Sequence, residues 1–168
     1  RGHDVRVLVR DRSRLRDVPW ADDVEVVEGD LSDPDSVRRA FEGREIAYFL
    51  VHSMTAHRDF AEVDRRHAET FAAAARAAGV SRIVYLGGLH PEGRLSPHLR
   101  SRAEVGEILL DSGVPTAALQ AGVVIGSGSA SFEMIRHLTE VLPYMPAPKW
   151  VRNFIQPIAV RDVLYYLL

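Results

Sequence analysis

The chain has 168 residues, a length that fits one domain. Its 21 basic and 23 acidic residues leave a net charge of −2, so no strong field recruits nucleic acid or an anionic membrane. There is no cysteine, which excludes disulfides, thiolate nucleophiles and cysteine-ligated metal centres. No apolar run reaches the roughly 18 residues that a membrane helix needs.

Short apolar strands alternate with longer helical patterns along the chain. The first predicted strand covers residues 4–9, where valine recurs at every second position, and a second strand is predicted over 23–28. Asp33 and Pro34 then begin a helix, because Asp33 can cap free N–H groups and proline suits the first helical turn. Gly43 ends that helix.

The apolar run at 46–51 predicts a strand covered on both faces, as in a parallel sheet. The same alternation continues to the end of the chain. It predicts, in order, a helix over 60–78, a strand over 83–86, a helix over 101–112, a strand within 116–125, a helix over 132–142, a short strand over 155–160 and a helix from 162 to 168. This order predicts an α/β fold with a doubly wound parallel sheet.

Residues 2–10 read GHDVRVLVR, a glycine that ends a helix followed by a valine-rich strand. The segment resembles the junction between the first helix and the second strand of Rossmann domains in the extended and atypical short-chain dehydrogenase/reductase superfamily, close to its NmrA-like, NAD(P)H-binding branch. The resemblance spans essentially the whole chain. It implies that residues 1–168 are a partial NAD(P)-binding Rossmann domain that lacks the first strand and the phosphate loop and continues beyond both ends.

That implied omission affects the sheet. In the strand order 3-2-1-4-5-6 the first strand is central. Without it, the second and fourth strands of the family each present an unpaired edge in the middle of the sheet. We expect upstream residues or another element to fill this gap, and a continuous sheet built from residues 1–168 alone would remove the expectation.

The resemblance places a dinucleotide at the carboxyl ends of the strands. Arg10 ends the family's second strand, where arginine accommodates the 2′-phosphate of NADP and an acidic residue bonds the ribose of NAD. Arg10 favours NADP, and the neighbouring Asp11 keeps NAD as the alternative. Asp30 and Leu31 follow the next strand, where the family's Asp-Leu tip contacts adenine. The alternative for Asp30 is a loop carboxylate that caps a helix.

Two further strand ends belong to the implied cofactor site. His52 and Ser53 follow the strand at 46–51, and since small residues usually line this turn, His52 is either a cofactor neighbour or a rim residue. Gly87 and Gly88 end the next strand, near the nicotinamide position of the family. Ligands of such sheets bind outside the carboxyl ends of the strands, so these tips should converge.

The superfamily's usual acid–base pair, Tyr-x-x-x-Lys, does not occur in the chain. The only lysine is Lys149, and the residue four before it is Met145. By resemblance, His98 stands near the tyrosine position and Arg102 near the lysine position. His98 can act as an acid or base near neutral pH, whereas Arg102 stays protonated and can only bind ribose hydroxyls or phosphate. The alternative is that His98, like His90, is a loop residue and that Arg102 is a surface residue or a cofactor-phosphate contact.

The family's Ser or Thr after the fifth strand is replaced by two glycines, with His90 nearby, and Gln120 replaces an arginine of a later strand. The seven histidines show no metal-ligand spacing, so no metal site is predicted. The leading interpretation is a cytoplasmic NAD(P)(H)-dependent oxidoreductase or epimerase-like enzyme with a non-standard acid–base set and a small-molecule substrate. The rival is a non-catalytic NAD(P)-binding sensor. A third interpretation is a structural Rossmann-like interaction domain that binds no nucleotide.

Overall fold

A computed structural model of the protein describes residues 2–52, 59–90, 93, 95–126, 130–144 and 156–168. The chain divides into two compact units. Unit 1 comprises Arg1–Gly87 and Pro91–Leu119, and unit 2 comprises Gly88–His90 and Gln120–Leu168. Each unit is described by itself below.

Strands and helices follow one another in the alternating order that the sequence predicts. In chain order they are β1 (Arg6–Val9), β2 (Glu25–Glu28), α1 (Pro34–Phe41), β3 (Ile46–Phe49), α2 (Phe60–Ala77), β4 (Arg82–Gly88), α3 (Pro97–Leu110), β5 (Thr116–Ala121), β6 (Val124–Ile125), α4 (Ala130–Val141), β7 (Ile158–Ala159) and α5 (Val160–Leu167). No helix in these described stretches combines the length and apolar character needed to cross a membrane.

The strands pair in parallel, which confirms the predicted α/β class. β1 pairs with β2, with Arg6 opposite Glu25, and β3 pairs with β4, with Ile46 opposite Arg82. The sheet order is β1-β2 in one ladder and β3-β4-β5 in another, and β6 pairs with β7 within unit 2. Within the described residues no ladder joins β1 to β3, and this is the position at which the sequence predicts unpaired edges.

Two helices begin at the same local signal, a capping side chain followed by proline. Asp33 accepts a hydrogen bond from the N–H two residues on and precedes Pro34 of α1. Ser96 accepts from the Leu99 N–H at 3.3 Å and precedes the proline of α3. α3 therefore begins at residue 97 and not at the predicted residue 101, because the cap satisfies N–H groups that otherwise lack partners.

Aromatic side chains join both strand pairs of unit 1 into one core. Phe71 of α2 packs edge-on against Phe41 of α1 and Phe49 of β3, with ring centroids 4.9 Å apart in each pair. Tyr85 of β4 lies 6.0 Å from Phe49, and Leu8 of β1 packs against the same cluster. Such aromatic pairs each add about 0.5–1.5 kcal/mol beyond the area they bury.

Only one face of β3 is buried. Ala47 and Phe49 are 4% and 2% exposed, whereas Ile46 and Tyr48 are 49% and 41% exposed. The prediction of a strand covered on both faces is therefore wrong. A continuous apolar run shows that each side chain tolerates burial, but the element that packs on a face decides whether it is covered.

Candidate functional site

The loop after β2 is held by hydrogen bonds around Asp30. Its Oδ1 accepts from the Ser32 N–H at 2.7 Å, and its own N–H donates to Ser36 Oγ at 3.0 Å. The Ser36 hydroxyl also donates to the Asp30 carbonyl at 2.7 Å. These bonds fix the backbone of the loop against the start of α1, while the Asp30 side chain remains 42% exposed.

Gly29 allows this loop to approach α1. A Cβ atom at this position would overlap the side chain of Ser36. The Gly29 N–H also donates to the Val9 carbonyl at 2.9 Å, so β2 stays paired to β1 up to its carboxyl end. Glycine is required here for space, which is the role it takes wherever a backbone must come close to another element.

Arg10 and Asp30, two residues predicted to bind the cofactor, lie near one another at the ends of β1 and β2. The Ser32 N–H has the largest effect in lowering the pKa of Asp30, and the charges of His67 and Arg10 lower it further against a partial burial that raises it. The carboxylate is therefore ionised at neutral pH. Leu31, the third predicted residue of this tip, is partly buried and packs against the core of unit 1.

His67 of α2 also belongs to this tip, although the sequence assigns it no role. Its Nε2 lies 2.9 Å from Ser32 Oγ and 4.0 Å from Asp30 Oδ1. The contact joins residues 35 positions apart in the chain. No local pattern signals such a contact, so sequence reasoning had no means to find it.

One turn earlier on α2, Asp64 is buried and contacts α3. Its Oδ2 accepts a hydrogen bond from the Ser101 hydroxyl at 3.1 Å. Buried carboxylates are costly unless they are hydrogen-bonded or paired, so this contact has a structural role. Ser101, which is 2% exposed, thereby fixes the position of its neighbour Arg102 on α3.

His52 lies within the electrostatic reach of both Asp64 and Arg102. Partial desolvation of the imidazole lowers the pKa of His52, the Arg102 charge lowers it further, and Asp64 opposes both effects. His52 follows β3 and is exposed as a residue. His52 is therefore neutral at physiological pH. Ser53, its predicted neighbour in the site, lies outside the described residues.

Tyr85 explains the glycine at position 87. A Cβ atom on Gly87 would lie 2.8 Å from Cε1 of the Tyr85 ring, and the Tyr85 hydroxyl donates to the Arg102 carbonyl at 3.0 Å. Burial raises the pKa of Tyr85, Arg102 opposes this and Asp64 adds to it, so the phenol stays protonated at neutral pH. Gly87 and Gly88 are both buried at the end of β4.

His98 and Arg102 lie four residues apart on α3, which places them on the same face of the helix. The His98 ring is stacked on Phe60, with centroids 4.3 Å apart and an interplanar angle of 18°. The stacking holds the exposed imidazole in one orientation. The two predicted catalytic residues are thus brought together, and the sequence alternative that His98 is a loop residue is excluded because α3 includes it.

In unit 2, the segment after β4 is fixed to β5 by one side chain. The His90 N–H donates to Gln120 Oε1 at 3.4 Å, and Gln120 Nε2 lies 3.2 Å from His90 Nδ1. His90 Nε2 is shielded from solvent and has no hydrogen-bond partner in the part of the chain that the structure describes.

The guanidinium and the carboxylate that follow β1 and β2 have the chemistry to bind the adenosine half of a dinucleotide. The Arg10 guanidinium presents a planar fork that matches phosphate oxygens, and the ionised Asp30 carboxylate can accept from an exocyclic amine. The residues that the structure describes contain no group of three or more His, Cys, Asp or Glu side chains able to hold a metal ion.

Comparison with known proteins identifies the family and the fold of the chain. A family model described as NAD(P)H-binding matches residues 1–121, and no curated protein matches the chain. The fold is similar to Citrobacter sp. triphenylmethane reductase complexed with NADP(H), at 23% identity and a TM-score of 0.62, over 80% of this chain and 45% of the reductase.

Two further solved structures share the fold. Bordetella bronchiseptica WbmG in complex with NAD has 18% identity and a TM-score of 0.78, over 98% of this chain and 59% of that enzyme. The Escherichia coli NADPH-dependent quinone oxidoreductase QOR2, complexed with NADPH, has 24% identity and a TM-score of 0.58, over 71% of this chain and 40% of that one. The chain therefore spans about half the length of these proteins.

Proposed function

The chain belongs to the NAD(P)H-binding family, and we propose that it acts as an oxidoreductase that uses NADP in preference to NAD. The observation that carries this proposal is that Arg10 and Asp30 follow two paired strands and that the Arg10 charge acts on the Asp30 carboxylate. A guanidinium beside an ionised carboxylate suits a 2′-phosphate next to an adenine amine.

Each residue of this tip has a separate task in the proposal. Arg10 binds the 2′-phosphate, and Asp30 accepts a hydrogen bond from the adenine amine. Leu31 supplies backbone and apolar surface next to the base. His67 and Ser36 hold the loop in place from α2 and α1.

The reactive end of the cofactor is assigned to the strand ends that follow. We place the nicotinamide half near His52, Ser53, Gly87 and Gly88. Bound cofactor supplies the hydride chemistry. His98 exchanges a proton with the substrate, and Arg102 binds ribose hydroxyls or phosphate because it stays charged at every working pH.

A non-catalytic NAD(P) sensor is the second candidate, and a specific observation favours it. The chain has no Tyr-x-x-x-Lys pair, and Gly87 and Gly88 stand where the superfamily has the Ser or Thr that orients its substrate. In this candidate, cofactor binding alters a protein contact surface and no substrate is reduced.

Fluorescence titration with NADPH and NADH, followed by absorbance at the nicotinamide band, separates these candidates. The triphenylmethane reductase and the quinone oxidoreductase named above act on triphenylmethane dyes and on quinones, which are the first substrates to try beside a broad carbonyl panel. Turnover supports the oxidoreductase, binding without turnover supports the sensor, and the absence of binding contradicts both.

We also propose that the protein draws on the cytoplasmic NAD(P) pool and binds neither nucleic acid nor membrane, which cell fractionation tests.

A further inference from the structure

His90 is held by the Gln120 side chain in a way that fixes the location of its ring proton. The His90 backbone N–H is a donor, so the Gln120 atom that faces it at 3.4 Å must be the carbonyl Oε1. The amide Nε2 is then the atom 3.2 Å from His90 Nδ1. Because an amide NH₂ only donates, Nδ1 of the neutral ring must accept, and the ring proton resides on Nε2.

The resulting Nε2–H donor lacks both water and a hydrogen-bond acceptor among the described residues. Nε2 is shielded from solvent and has no hydrogen-bond partner among the described residues. A buried donor without an acceptor has lost its hydrogen bonds to water without replacing them, so such an atom calls for an explanation. The residue as a whole is only partly buried, and a donor in a water-poor setting binds an oxygen more strongly than one in bulk water.

The position of this donor in the fold points to a substrate. His90 follows the carboxyl end of β4 by two residues, and Gln120 lies on the neighbouring strand β5. The Leu89 N–H donates to the Ala121 carbonyl at 3.1 Å, so the two strands stay paired up to this point. In parallel sheets, ligands bind outside the carboxyl ends of the strands.

We propose that His90 Nε2–H is a hydrogen-bond donor to the carbonyl oxygen of a ketone or quinone substrate, and that Gln120 is the residue that positions it. The inference rests on the proposed oxidoreductase function. Hydride from reduced nicotinamide adds to the carbonyl carbon, and the C=O electron pair moves to the oxygen. The oxygen takes its proton from the proposed acid His98, while the neutral His90 imidazole keeps its own proton and stabilises the developing negative charge.

The first test reads the ring proton directly. Nitrogen-15 NMR of the full-length protein should show His90 as the Nε2–H tautomer. Gln120→Glu replaces the donating amide with an accepting carboxylate oxygen, so the proton should appear on Nδ1. The His137 resonances, from an exposed position on α4, should not move. A His90 ring that carries its proton on Nδ1 in the unmodified protein would overturn the inference.

The second test adds the acceptor. 9,10-Phenanthrenequinone added to the NADP⁺-loaded protein should shift the His90 Nε2 resonance and leave His137 unchanged. With NADPH, His90→Phe should lower kcat for this quinone about 100-fold, the loss typical of removing one such donor, and should leave the Kd for NADPH unchanged. His137→Phe is the matched control and should keep full activity.

The outcomes separate the inference from the proposed function. If NADPH binds but the quinone leaves the His90 resonance unmoved, or His90→Phe reduces the quinone at the normal rate, the His90 role is wrong and the cofactor assignment stands. If NADPH does not bind at all, the proposed function fails. In that case the role of His90 as a substrate donor fails with it, whatever its tautomer.

Discussion

The Ser36 hydroxyl contacts both backbone polar groups of Asp30: it accepts from the N–H at 3.0 Å and donates to the carbonyl at 2.7 Å. Ser36 is fully buried in α1, so the hydroxyl ties the loop after β2 to a helix that is itself anchored in the core. The backbone of the loop is thereby fixed, and its carboxylate remains accessible to a ligand.

Replacing Ser36 with alanine leaves the Asp30 N–H without this partner, whereas the Asp30 carbonyl still accepts from the Asp33 N–H at 2.9 Å. We expect the free energy of unfolding to fall by about 1–3 kcal/mol, the cost of unsatisfied buried polar groups, and the Kd for NADPH to rise. Urea unfolding and fluorescence titration measure the two effects. Ser81→Ala removes an exposed hydroxyl bonded to the Glu45 carbonyl and is the matched control. An unchanged NADPH affinity in Ser36→Ala would show that the loop needs no such support.

Arg10→Ala should discriminate between the two cofactors. A charge-assisted hydrogen bond contributes about 1.5–3 kcal/mol, so losing the contact to the 2′-phosphate should raise the Kd for NADPH about tenfold or more. NADH, which lacks that phosphate, should bind almost as before. Arg16→Ala removes another exposed arginine of the same connection and should affect neither Kd. Equal losses for NADPH and NADH would argue against a 2′-phosphate contact.

Gly87→Ala should destabilise the protein by about 1–3 kcal/mol, the usual cost of overpacking a filled core. The added Cβ would meet the Tyr85 ring at 2.8 Å, and that ring is held by its bond to the Arg102 carbonyl. In a Tyr85→Leu background the same substitution should cost less, since the opposing ring is gone. Urea unfolding of the four proteins gives the coupling energy, and a coupling of zero would rule out the packing explanation.

The pKa of His52 gives stability a pH dependence of known sign. Desolvation and the Arg102 charge lower this pKa below its ordinary value of 6.5. At a pH between the lowered pKa and this ordinary value, the unfolded chain therefore binds more protons than the folded protein. The stabilising contribution of neutral His52 is complete above pH 6.5 and is lost as the pH falls through the lowered pKa. His52→Gln should flatten this part of the curve in urea unfolding measured as a function of pH.

Charge substitutions around His52 should move its pKa in opposite directions. Arg102→Gln removes a neighbouring positive charge and should raise the pKa, whereas Asp64→Asn removes a neighbouring negative charge and should lower it. Proton NMR titration of the His52 ring measures both shifts. A pKa that responds to neither substitution would place His52 away from this cluster.

Local signals in the sequence predict most of the fold. Asp33 and Pro34 identify the start of α1 because capping and proline geometry act within a few residues. The same signal at Ser96 and Pro97 is present in the sequence, yet the apolar pattern alone suggests a later start for α3. An apolar periodicity appears in the sequence only where one face of a helix is buried. The first turn of α3 is exposed and therefore lacks this pattern.

Contacts between distant residues account for what the sequence does not predict. Asp64 and Ser101 are 37 positions apart, and His90 and Gln120 are 30 apart. Each of these residues is an ordinary polar side chain in its local context, and only the packing of α2 on α3 or of β4 on β5 pairs them. Arg10 and Asp30 follow two adjacent parallel strands, and strand topology alone predicts that such residues lie at the same edge of a sheet.

Adenosine 2′,5′-bisphosphate, which reproduces the phosphorylated adenosine half of NADP, tests the central claim most directly. Isothermal titration of the full-length protein should show that it binds, that it competes with NADPH, and that its affinity falls in both Arg10→Ala and Asp30→Asn. NADPH that binds without competition from this nucleotide, or a nucleotide affinity that neither variant changes, would contradict the assignment of the adenosine site to the ends of β1 and β2.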